Sequence, residues 1–152
     1  MKVLVSSRKS KPAEGDRTPF TEVLAQSSVI VLCIPRNPET LGLISSAELR
    51  AMGQHTLLIN VSRGGIVDET ALLEALRAGS IGGAATDVLE HEPSNAGKFW
   101  KEGDSPLLNV DAAEAERLNL MVTPHVAWFS TTTMQNYLLA FKRHVEEFNH
   151  QN

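Results

Sequence analysis

Apolar positions along the 152 residues fall into short unbroken runs separated by amphipathic stretches. The runs "KVLVSS" (2–7), "SVIVLCIP" (28–35), "HTLLINV" (55–61), "IGGAATDVLE" (81–90) and "NLMVTPH" (119–125) read as strands. The second is so continuous that it predicts a strand buried on both faces. The small residues of the fourth predict close approach of its neighbours. Between the runs lie helical patterns. Thr18 is placed to cap "PFTEVLAQ", with Pro19 at the first helical position. A serine precedes "AELRAM". Asp68 and Glu69 open "DETALLEALRAG", whose Leu72, Leu73 and Leu76 form one stripe before Gly79 stops it. Residues 91–118 read as a long irregular stretch. "STTTMQNYLLAFKRHVEEFNH" closes the chain as a long helix with Tyr137, Leu138, Phe141 and Val145 on an apolar stripe.

Strands alternating with helices predict an α/β fold, a parallel sheet with right-handed crossovers and helices on both faces. The chain divides into a body over 1–129 and a C-terminal helix over 130–152, without repeats or low-complexity segments.

Composition narrows the class. Apolar residues make up 42% and charged residues 21%, as in ordinary globular domains. The net charge of −4 offers no basic field for nucleic acid or an anionic membrane. No apolar run approaches the ~18 residues of a membrane span, and the N-terminus lacks a signal-peptide core, which points to a cytoplasmic protein. The single cysteine, Cys33, excludes a disulfide framework and reads as a small buried hydrophobe. No metal-ligand spacing stands out.

In parallel sheets chemistry gathers at the carboxyl ends of the strands. Those ends read Ser7–Arg8–Lys9, Pro35–Arg36, Val61–Ser62–Arg63–Gly64–Gly65, Asp87–Val88–Leu89–Glu90 and Thr123–Pro124–His125. Polar and ionisable residues cluster at nearly every one.

"INVSRGGIVDETALLEALRAGSIGGAATDVLEHEP" followed by "VTPHVAW" resembles the D-isomer-specific 2-hydroxyacid dehydrogenases, and the resemblance runs almost end to end. "VLVSSRKS" and "RTPFTEVLAQSSVIVLCIPRNPETLGLI" are similar to the glycerate dehydrogenase branch, whereas "HVAWFS" is closer to the C-terminal binding proteins. The resemblance implies a Rossmann-like domain and a catalytic set. Arg63 would hold the substrate carboxylate, for which a guanidinium fork is suited. His125 would exchange a proton with the substrate oxygen, since imidazole changes charge near neutral pH. Glu92 would pair with His125 and orient it. Asp87 would touch the nicotinamide carboxamide, and Pro35 and Val61 would line the cofactor.

The family's glycine-rich loop does not occur among these residues. None of the ten glycines makes G-x-G-x-x-G. The chain reads as a family member that starts at the second strand, so the sheet is expected to lack its central strand. Val3–Ser6 beside Val29–Ile34 would then be separated from Leu57–Val61, Ala84–Val88 and Met121–Thr123, leaving exposed inner edges. Three remedies are open, direct joining of the two pieces, a second copy of the chain or a separate protein, and a homodimer through those edges or the last helix is the expected one. Where NAD-specific members carry an acid, this chain has Ser7, Arg8 and Lys9, which suit a 2′-phosphate and favour NADP over NAD. Three functions stay open: a dehydrogenase acting on a small carboxylate or keto/enol substrate, a repurposed enzyme using the Arg/Glu/His set without any dinucleotide, and a non-catalytic interaction module.

Overall fold

The computed structural model describes residues 2–92 and 103–151, with the side chains of 149–151 excepted. Four parallel strands form one sheet in the order β1 (Val29–Leu32), β2 (Leu57–Asn60), β3 (Gly83–Thr86) and β4 (Leu120–Val122). The connections carry α1 (Phe20–Gln26), α2 (Ser46–Ala51), α3 (Glu69–Arg77), a 3-10 turn (Pro106–Asn109) and α4 (Ala112–Arg117), and α5 (Thr131–Gln151) follows β4.

Local chemistry sets these boundaries. Ser45 and Glu48 form a capping box at α2, and Lys9 reaches the Glu48 carboxylate at 2.8 Å. Burial opposes the charge on Glu48, but Lys9 and the Ser45 hydroxyl and amide outweigh it and hold its carboxyl below the ordinary range. The Asp68 carboxylate accepts from the Ala71 amide at 3.0 Å and starts α3. Leu72, Leu73 and Leu76 of α3 pack with Leu24, Ile30, Leu32, Leu49, Leu58 and Ala84 in one core.

That core covers one face of the sheet. Side chains alternate across a strand, so Ile30 and Leu32 are buried while Val29 and Val31 are exposed. Cys33, next on the outward side, is exposed rather than buried, which corrects the expectation. The 28–35 run is therefore not covered on both faces among the described residues.

Three further expectations change. The gap between Val29–Ile34 and Leu57–Val61 does not exist: β1 pairs directly with β2, Val29 opposite Leu57 and Leu32 opposite Asn60. "KVLVSS" forms no ladder beside β1. Among the described residues its one pairing is a bridge from Ser6 to Thr18. Thr18 does not cap α1; the helix begins after Pro19, and the Ser7 hydroxyl accepts from the Phe20 amide at 3.2 Å instead. Of the stretch read as irregular, 93–102 lies outside the described residues, while "AAEAER" forms α4, capped by Asp111.

Candidate functional site

The site is assembled from the turns after the strands. Behind β2, the buried Asn60 accepts through Oδ1 from the Ser62 amide (3.2 Å) and hydroxyl (2.8 Å). Its Nδ2 donates to the Arg63 carbonyl at 3.1 Å, so one side chain shapes the whole turn. The Arg63 guanidinium donates to the Ser62 carbonyl at 2.6 Å and remains exposed. A cleft of about 630 Å³ opens here, lined by Cys33, Ile34, Pro35, Arg36, Val61, Ser62 and Arg63. Pro35, Val61 and Arg63 thus share one cavity.

Glu92 and His125 meet as the sequence predicts. His125 Nδ1 lies 2.7 Å from Glu92 Oε2, and Glu92 Oε1 accepts from the Leu89 amide at 2.8 Å. A carboxylate pinned by the main chain fixes the ring and favours a proton on Nδ1, leaving Nε2 for other chemistry. His125 has φ 53°, a left-handed conformation uncommon outside glycine. Its carbonyl accepts from Trp128 Nε1 at 2.8 Å, which helps hold that geometry.

The two halves are joined at Gly64. A Cβ there would collide with the Leu89 carbonyl, so only glycine lets the turn bearing Arg63 lie against the segment bearing Glu92. The Glu69 carboxylate adds a second tie by accepting from the Glu90 amide at 2.7 Å. Burial pushes the Glu69 carboxyl above its ordinary value, against the Ser105 hydroxyl and the Glu90 amide, which favour its charged form.

Asp87 is buried with both carboxylate oxygens occupied. Oδ1 accepts from the Thr123 hydroxyl (2.6 Å) and Val126 amide (2.9 Å), and Oδ2 from the Ala127 amide (2.8 Å). Its bonds position the segment carrying His125. Ser7 is buried and Lys9 is engaged by Glu48 and, at 3.5 Å, by the Leu43 carbonyl. Arg8 is the more exposed of the two cations, loosely paired with Glu39 at 3.6 Å. Asn60, Glu69 and Trp128 were not singled out by their sequence. A buried asparagine ending the apolar run "LLIN" is the signal that marks the first.

No group of three His, Cys, Asp or Glu among the described residues is arranged to hold a metal ion, and no described helix is long and apolar enough to cross a membrane.

Known proteins are similar to this chain. A glycerate dehydrogenase of Methylorubrum extorquens is 44% identical over 113 residues, covering 74% of this chain and 32% of that protein. The D-lactate dehydrogenase of Aquifex aeolicus, solved with NAD and lactic acid, superposes with a TM-score of 0.70 at 28% identity, covering 89% of this chain and 41% of that one. An acyclic imino acid reductase solved with NADPH and D-Arg superposes with a TM-score of 0.74 at 28% identity, over 99% of this chain and 44% of that one. The chain therefore spans less than half the length of each. The pattern of the D-isomer specific 2-hydroxyacid dehydrogenase NAD binding domain matches residues 1–127, and the chain belongs to that family, as part of its NAD-binding domain.

Proposed function

We propose that these residues serve a D-2-hydroxyacid dehydrogenase reaction, in which a small 2-keto carboxylate is reduced to the 2-hydroxy acid. The observation that carries the reading is the pinned pair, Glu92 Oε2 at 2.7 Å from His125 Nδ1, with Glu92 fixed by the Leu89 amide. Arg63 grips the substrate carboxylate with its exposed guanidinium, the group that best matches a planar anion. His125 gives the proton on Nε2 to the carbonyl oxygen as the adjacent carbon gains a hydride. Glu92 balances the charge of the doubly protonated ring before transfer and keeps the imidazole oriented after it.

The chain's residues fit a nicotinamide cofactor. An open cleft lies at the carboxyl ends of β1 and β2, where dinucleotides bind in such sheets, and Pro35 and Val61 give it apolar walls. When bound, the reduced nicotinamide supplies the hydride. Arg8 would leave its loose pairing with Glu39 for a ribose 2′-phosphate, so NADP is favoured over NAD. The Ser7 hydroxyl and Lys9, already engaged within the fold, shape the tip more than they bind. Asp87 acts as a positioning residue for the His125 segment. The body over 1–129 does this work and the helix over 130–152 stands apart from it.

Calorimetric titration with NADPH, NADP, NADH and NAD tests the reading, with Arg8→Ala as control. Micromolar binding of the phosphorylated pair, weakened about tenfold or more by Arg8→Ala, is expected. Turnover with hydroxypyruvate or glyoxylate should follow in the protein that binds. Absence of binding by all four would favour the second reading, proton transfer by the Arg63/Glu92/His125 set without a dinucleotide.

A further inference from the structure

One buried carboxylate meets the segment that carries Glu92 from inside the fold. Glu69 opens α3 and is 7% exposed. Leu72, Leu73 and Leu76 anchor that helix in the core, so the carboxylate has a fixed origin. Glu69 Oε1 accepts from the Glu90 amide at 2.7 Å, and the buried Ser105 hydroxyl donates to the same carboxylate. Ser105 is itself held, its Oγ accepting from the Leu107 amide at 3.1 Å. Glu69 thus gathers two segments that are well separated in the sequence. Taking a carboxylate out of water is expensive, and these two donors offset part of that cost. All of these contacts are internal to the fold.

The stretch that Glu69 holds is the one from which the Glu92–His125 pair is set. The Leu89 carbonyl and the Glu90 amide belong to one planar peptide group. Gly64 bounds that plane on its carbonyl side, where a Cβ has no room, and Glu69 holds its amide side. The plane cannot tilt without losing one contact or the other. The adjoining Leu89 amide therefore keeps its aim at Glu92 Oε1, 2.8 Å away, and Glu92 Oε2 its 2.7 Å approach to His125 Nδ1. We propose that Glu69 is a positioning residue for the pair: by clasping the Leu89–Glu90 peptide it keeps Glu92 where the His125 ring carries a proton on Nδ1. Its hydrogen bonds go to Glu90 and Ser105, and it acts on the ring through the main chain. The tautomer of a neutral imidazole is set by the hydrogen bond that one nitrogen makes. A Glu92 that drifts lets the proton pass to Nε2, the nitrogen that the proposed reaction uses. The consequence for turnover rests on the dehydrogenase reading; the state of the ring does not.

The test reads the ring directly, by nitrogen-15 NMR of the wild type, Glu69→Ala, Glu69→Gln and Val23→Ala with no substrate or cofactor added. Circular dichroism checks that each is folded. Val23 is buried on α1, which packs on α2, so its variant reports general loosening with the clasp intact. In the neutral ring the wild type should carry its proton on Nδ1. Glu69→Ala should lower the ratio of Nδ1-protonated to Nε2-protonated ring by about threefold or more. Glu69→Gln keeps an acceptor for the Glu90 amide and should restore the wild-type ratio, and Val23→Ala should leave it unchanged. An unchanged ring in folded Glu69→Ala would overturn the proposal. So would a Glu69→Gln ring as altered as that of Glu69→Ala, which assigns the effect to charge, or an equally altered Val23→Ala ring, which assigns it to loosening. Should Glu69→Ala not fold, Glu69→Met fills the volume without an acceptor and is read by the same criteria. Failure of all four nucleotides to bind would retire the dehydrogenase reading and leave the ring measurement decisive for Glu69.

Discussion

Holding a residue with a side chain at a left-handed φ costs about 1–3 kcal/mol, and at His125 the neighbours carry that strain. Glu92 takes the ring, Trp128 the carbonyl, and Asp87 the two amides that follow. The strain turns the ring onto a carboxylate that is itself fixed to the main chain. If the proposed reaction is the one performed, His125→Asn should lower kcat by about 10²–10⁴-fold with an unchanged melting temperature. Glu92→Gln keeps a hydrogen-bond partner and removes the charge, so it should lower kcat less than His125→Asn and change the shape of the pH–rate profile. Glu69 permits a separate test. Its folded carboxyl is harder to ionise than the unfolded one, so ionisation above the ordinary value of 4.5 favours unfolding. Glu69→Gln keeps an acceptor for the Glu90 amide and has no charge to bury. Thermal melts between pH 4 and 7 should therefore show the variant gaining on the wild type as pH rises. Arg63, Glu92 and His125 were legible through the motifs that carry the family resemblance, and the structure brings Glu92 and His125 together. Asn60 and Glu69 were not, since their partners, main-chain groups with the Ser62 and Ser105 hydroxyls, match no motif that chemistry dictates.

At the scale of elements, the turns matter more than the strands they follow. Gly64 is the joint between the Arg63 turn and the Glu92 segment, and the contact leaves no room for a Cβ beside the Leu89 carbonyl. Gly64→Ala should destabilise the protein by about 1–3 kcal/mol in urea melts and reduce turnover beyond what that loss explains. Gly83 plays a comparable part in packing, since a Cβ there would strike the side chain and carbonyl of Asn119 before β4. The small residues of "IGGAAT" announced this closeness in the sequence. Two helix starts were legible where a side chain makes the cap, at the serines before "AELRAM" and at Asp68. The start of α1 was misplaced because its first free amide is satisfied from a distant residue, Ser7. The helix "AAEAER" was passed over because none of its residues is buried, so it has no apolar stripe to read. "KVLVSS" shows the opposite limit: alternation predicts a strand, but a strand exists only where another backbone supplies its hydrogen bonds.

At the scale of the whole molecule, charge, cover and connectivity pull in different directions. A four-stranded parallel sheet with one face packed and the other apolar behaves as half of a layered structure. The unbroken apolar run at 28–35 already asked for cover on both faces. Cofactor titration with Arg8→Ala addresses the large-scale question of whether the basic tip and the cleft beside Arg63 act together. The sequence by itself determined the parallel α/β class, the family, and helix caps built from local side chains. Each of these rests on periodicity within an element or on a residue type that its chemistry requires. Only the tertiary structure decided that β1 pairs directly with β2, that Cys33 is exposed and the outward sheet face lacks full cover among the described residues, and that Asp87 is occupied in holding the His125 segment. Those outcomes depend on which backbone reaches which, and no local pattern encodes the distance between residues far apart in the chain.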